Sequence, residues 1–154
     1  MTVLMVILPV IQNSKQLWTT LIGLGSPTPG LIIGGDFNLP NAVWPHCIPA
    51  AGCPKEERTM ISTLKSFLND YGLSQVVSQP THKDGNLLDC VFVNNDDIVS
   101  DVNINQTLLS ISHHFVVEVT TPWQITSSAS SENADATKAK KKGFFCCKFF
   151  STAL

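Results

Sequence analysis

Four residues of this chain have types that could handle a phosphate ester: Asp36, Asn38, Asp89 and His114. The first two lie in "LIIGGDFNLP", residues 31–40, where an apolar run meets two glycines and then a carboxylate and a carboxamide. Phosphodiester hydrolysis needs an activated water, stabilisation of charge on a phosphorane-like transition state, and relief for the leaving oxygen. At a strand end, Asp36 can orient and deprotonate water. Asn38, two residues along and so on the same side, can donate an amide N–H to a phosphate oxygen. Gly34 and Gly35 allow close backbone approach. The bland alternative is that Asp and Asn simply end a strand in a turn.

The second constellation is "SHH", Ser112 to His114, directly before the apolar run "FVVEV". Histidine at a strand start is also an ordinary structural residue. Asp89, however, lies in "LLDCVFV" between apolar neighbours, and a carboxylate in so apolar a strand needs a partner. If the two strands are neighbours, Asp89 sets the tautomer of His114 and supports its charged form, leaving the other nitrogen to face a phosphate.

These residues need a frame of strands. "MTVLMVILPVI" and "LIIGG" read as buried strands, and "NSKQLWTTLIGLG" between them as a helix capped by Asn13 or Ser14. Residues 39–55 read as a Pro-rich loop. "PKEERTMISTLKSFLNDYGL" is the clearest helix: Met60, Ile61, Leu64, Phe67, Leu68 and Tyr71 line one face, Glu56 and Glu57 suit its N-terminal end, and Gly72 suits its exit. Short strand candidates follow in "SQVV", "LLDCVFVN", "IVSDVNI" and "HFVVEV". The order implies an α/β protein with a mixed sheet.

The 154 residues suit one domain, and 44% apolar against 14% charged residues argue for a packed body that leaves some apolar surface uncovered. Residues 1–123 hold five Lys/Arg against ten Asp/Glu, and residues 124–154 hold five against two. An acidic body is a poor match for a nucleic-acid backbone, so divalent cations or a further basic surface must supply the attraction. Five cysteines without a framework spacing fit a reduced compartment, in the nucleus or cytoplasm. His46, Cys47 and Cys53 form only an incomplete zinc-ligand set. From residue 124 the chain reads as a disordered linker, "SSASSENADATKAKKKG", ending in "GFFCCKFFSTAL", which is either a tail making weak membrane contact or an appendage unrelated to residues 1–123. No apolar stretch reaches the ~18 residues of a membrane span.

Taken together, "LIIGGDFNLP", "QPTHKDGNLLDCVFVNN" and "SHHFVVEV" resemble the endonuclease/exonuclease/phosphatase family, most closely the endonuclease domains of LINE-type retrotransposons, over residues 3 to 120. Those domains show Gly-Asp-Phe-Asn, a Pro-Thr followed by Leu-Asp, and a terminal Ser-Asp-His. The resemblance implies a two-sheet α/β sandwich, Mg2+ or Mn2+ at the strand ends, and cleavage of nucleic acid, DNA in the family. It assigns water orientation and weak, incomplete metal binding to Asp36, transition-state contact to Asn38, and the orienting-acid and histidine roles to Asp89 and His114. His113 departs from the pattern, which has Asp at that position. The family's earlier half-domain, with an Asn and a metal-binding Glu, has no counterpart here. The expectation is therefore a partial sandwich, self-associating through uncovered sheet, with impaired or no nuclease activity; the alternative is a non-catalytic remnant or interaction module.

Overall fold

The computed structural model describes residues 3–8, 15, 16, 19, 30–106, 112–122, 125–127 and 143–147. A five-stranded sheet carries the site. Its strands are β1 (Val3–Leu8), β2 (Leu31–Asp36), β5 (Ser74–Gln75), β6 (Asp89–Val93) and β9 (Ile125–Ser127), in the order β5-β6-β2-β1-β9. β1 runs parallel to β2 and to β9, while β6 is antiparallel to β2 and to β5, so the sheet is mixed as expected.

Every residue of β2 and of β6 is buried, because both faces of the sheet are covered. Successive strand side chains point to opposite faces. Leu31, Ile33, Cys90 and Phe92 pack with the apolar face of helix α1 (Lys55–Asp70), formed by Met60, Ile61, Leu64, Phe67 and Leu68. Ile32, Val91 and Val93 face the other way and pack with Val117 and Val119. Those two valines belong to β8 (Val116–Thr121), which lies between β7 (Asp101–Asn105) and β10 (Gly143–Cys147) in a second, antiparallel sheet. The layers are therefore helix, mixed sheet, second sheet: an α/β sandwich.

Helix α1 has the predicted face, and Gly72 ends it. With φ +59, Gly72 turns the chain so that its N–H donates to Asn69 O and the Leu73 N–H to Leu68 O, the paired closure of a Schellman motif. Gly35 serves a different purpose. A Cβ there would lie 3.0 Å from the Cβ of Leu8 and 3.1 Å from its carbonyl oxygen, so the close approach of β1 requires glycine.

Two segments differ from the sequence expectation. The Pro-rich stretch 39–55 contains a small hairpin, β3 (Ala42–Val43) with β4 (Ile48–Pro49), at whose base the Asn41 backbone N–H and side-chain amide both donate to the Glu57 carboxylate at 2.7 Å. Residues after 123, expected as linker and tail, supply β9 and β10, which pair with the open edges of β1 and β8. A free strand edge offers unpaired N–H and C=O groups that any suitable segment can satisfy, a tertiary opportunity that composition does not reveal. Residues 128–142 and 148–154 lie outside the described residues. So does most of the helix expected after β1, of which Lys15, Gln16 and Thr19 are helical. No helix among the described residues is long and apolar enough to cross a membrane.

Candidate active site

β2 stops at Asp36 because that carboxylate turns onto its own backbone. Asp36 Oδ1 accepts the Asn38 N–H at 3.0 Å, an Asx turn, and Asn38 takes a left-handed φ of 48. Phe37 N–H donates to Leu88 O at 2.9 Å, which holds the turn against the start of β6. The strand alternation expected to put Asn38 on the same side as Asp36 therefore does not apply. Asn38 is an exposed residue just past the strand end, placed by the turn.

Asp36 and Asp89 are cross-strand register partners of β2 and β6, and both are buried. Two facing carboxylates repel unless a cation or proton is shared between them. His114 stands beside both and supplies that charge when protonated. Its Nδ1 lies 2.9 Å from Asp89 Oδ2, and its Nε2 lies 3.9 Å from Asp36 Oδ2. The shorter contact is a hydrogen bond; the longer is electrostatic only. The bond to Asp89 raises the His114 pKa above its usual value, against the pull of burial and with help from the negative charge of both aspartates. The Asp36 pKa is also raised, mainly by burial and by Asp89, and this outweighs the opposing effects of His114 and the Asn38 N–H.

The imidazole is fixed through its backbone. Ser112 Oγ accepts the His114 N–H at 3.1 Å, and His114 forms an antiparallel bridge with His82. Around that bridge Phe115 N–H donates to Thr81 O at 2.7 Å and Lys83 N–H to His113 O at 2.9 Å. Thr81 is the joint between the two halves. It is fully buried, and its Oγ1 accepts the N–H groups of Leu88 at 3.0 Å and Asp89 at 2.9 Å while its carbonyl holds the residue after His114.

Three of the four residues singled out in the sequence thus converge, and the fourth, Asn38, borders them through its backbone. His113 is exposed beside the cluster. The sequence reading missed Thr81 and His82. The His82 ring centroid lies 4.9 Å from that of His114 and 6.0 Å from that of His113, and burial followed by His114 lowers its pKa. The available signal was the stretch "PTHKDGNLLD" itself, whose Thr and His stand close ahead of the buried acid. Cys47 and Cys53 are buried, with Sγ directed to the carbonyls of Ile61 and Pro54, so the incomplete zinc set around His46 does not assemble.

Asp36, Asp89 and His114 offer ligand atoms all within 4.8 Å of one another, the residue types of a divalent-cation site. Much of that capacity is spent internally. Asp89 Oδ2 and His114 Nδ1 are bonded to each other, and Asp89 Oδ1 is sealed below the surface without a hydrogen-bond partner. Among the described glutamates, Glu57 is bound to Asn41, Glu118 to Asn103 and Asn105, and Glu56 stands exposed in the first turn of α1. Mg2+ keeps several waters in its octahedral shell and is commonly held by one or two carboxylates, and Asp36 and Asp89 are the two in this group. Asp36, with Asp89 and His114 behind it, is the residue that would hold a divalent cation at this strand end.

A family model described as endonuclease-reverse transcriptase matches residues 3–118, an interval that contains the whole cluster. No curated protein and no solved structure gives a significant match.

Proposed function

The chain belongs to the endonuclease-reverse transcriptase family, a domain of the endonuclease/exonuclease/phosphatase type and retrotransposon kind, and from that premise we propose that it is a phosphodiesterase-like module with little or no nuclease activity of its own. The observation that carries this reading is the imidazole of His114, held at 2.9 Å by Asp89 and at 3.9 Å from Asp36. In the roles proposed here, Asp89 orients His114 through Nδ1, and the raised pKa favours the cationic ring that would face a phosphate oxygen. Asp36, also raised, accepts a proton from the attacking water. Asn38, exposed at the rim, donates its amide to a phosphate oxygen. A divalent cation, where bound, would be held by Asp36 and would stabilise charge on the phosphate, and no step is routed through it.

Weak activity follows from what the cluster lacks. His113 stands where the resemblance has Asp, and no further carboxylate among the described residues joins Asp36 and Asp89. Removing one member of a cooperating catalytic set costs on the order of 10^3-fold or more. The test is nicking of supercoiled plasmid DNA in Mg2+ or Mn2+. The parent chain should stay near background, and His113→Asp should raise nicking about tenfold or more, in a manner abolished by Asp36→Ala. Efficient nicking by the parent would overturn the proposed impairment. If His113→Asp stays inert, the non-catalytic remnant becomes the better reading.

A further inference from the structure

The second sheet is built around β8, which pairs with β7 on one side and with β10 on the other, the latter from Gly143↔Thr121 to Cys147↔Val117. Without β10, β8 itself would be the edge. Its sequence is VVEVTT, in which every residue but Glu118 is β-branched, and the Glu118 carboxylate is engaged on the β7 side by the side-chain amides of Asn103 at 2.8 Å and Asn105 at 3.4 Å. β8 thus has no lysine, proline or free charge, the devices by which edge strands avoid pairing with another chain. The outer edge of β7 is different. It starts at exposed Asp101, which follows exposed Asp96 and Asp97, so two copies of that edge repel. β5 and β9, the edges of the five-stranded sheet, are only two and three residues long, and such short edges offer little to a further strand.

We propose that the outer edge of β8 is an interaction surface for a second copy of this chain, and that β10 is the strand that guards it. Released from β10, β8 pairs antiparallel with the β8 of the second copy about a twofold axis normal to the sheet, Val119 opposite Val119. That register keeps buried Val117, Val119 and Thr121 on the core face in both copies, and it sets Glu118 across from Thr120 instead of another Glu118. Such a contact uses the same patch twice and closes on itself, so it gives a dimer and not a fibre. β10 and the second copy compete for one row of backbone N–H and C=O groups, and covalent attachment decides between them. Residues 128–142 tether β10 to β9, and a short tether gives an effective concentration on the order of mM, ~10^3-fold above a chain present at micromolar concentration. The intact chain is therefore a monomer, and dimerisation waits on displacement of β10. The inference concerns assembly and does not rest on the phosphodiesterase reading.

The experiment is sedimentation velocity of the full chain at micromolar concentration beside its Phe144→Pro and Phe145→Pro variants. Successive N–H groups of a strand point to opposite edges, so one proline removes a bond to β8 and the other replaces an outward N–H that an edge strand can spare. The parent should sediment as a monomer, and one of the two variants should form a dimer at least about tenfold tighter than the parent does. In that variant, adding Thr120→Glu at a half-buried position should restore the monomer, because the new carboxylate faces Glu118 of the second copy. A synthetic peptide of residues 138–150 in excess should restore it as well. Four results would each overturn the proposal: a parent already dimeric, both proline variants monomeric, a dimer indifferent to Thr120→Glu, or loss of the folded circular-dichroism spectrum in both proline variants. The last counts because a guarding strand must leave the rest of the domain folded when it opens.

Discussion

Replacing Thr81 with valine keeps the shape of a fully buried side chain and removes only its hydroxyl. That hydroxyl accepts two backbone N–H groups, Leu88 at 3.0 Å and Asp89 at 2.9 Å, both in buried residues. Leaving a buried donor unsatisfied costs about 1–3 kcal/mol. Two donors set an outer range of about 2–6 kcal/mol, and removing the buried hydroxyl itself recovers part of it, so about 2–5 kcal/mol is expected. Thr81→Ser keeps the acceptor and loses one methyl, worth about 1 kcal/mol. Equilibrium urea unfolding followed by circular dichroism separates the two: Thr81→Val should lower the midpoint several times more than Thr81→Ser, without changing the slope. The damage should also reach the site, because Thr81 fixes the backbone of Asp89 on one side and of Phe115 on the other. In the valine variant the His114 titration midpoint should fall toward its ordinary value. Equal destabilisation by valine and serine would refute the idea that this hydroxyl joins the two halves of the site.

The titration of the parent chain is a second check. His114 should titrate above 6.5 and His82 below it in an NMR pH series, and Asp89→Asn should bring His114 down. The linked stability follows by sign. His114 and Asp36 bind protons more tightly in the native state, so their contribution is fully present below the ordinary values of 6.5 and 3.8 and is lost as pH rises through the raised values; His82, lowered, contributes in the opposite sense as pH rises toward 6.5. Gly35→Ala should destabilise the fold by about 1–3 kcal/mol in thermal melting, since its Cβ would press on the backbone and Cβ of Leu8, whereas Gly52→Ala, where nothing stands within 4 Å but φ is +79, should cost backbone strain alone.

Much of this molecule was legible in the chain. The unbroken apolar run at 31–33 predicted a strand buried on both faces, that at 90–93 predicted a strand, and the spacing of Met60, Ile61, Leu64, Phe67 and Leu68 predicted the apolar face of α1. Both are local signals of side-chain period, which the backbone converts directly into faces. A lone carboxylate at Asp89 demanded a partner on grounds of burial alone, and His114 is that partner. Three decisions belong to the tertiary structure. The register of β2 against β6 sets Asp36 opposite Asp89, and a shift of one residue would have turned the two acids to opposite faces. The Asx turn at Asp36, not strand alternation, places Asn38. The bridge between His82 and His114 assembles three imidazoles whose sequence separation carries no periodic signature. Periodicity records which side of an element a residue occupies, but contacts between distant segments depend on register and turn geometry, and those are settled only when the layers pack.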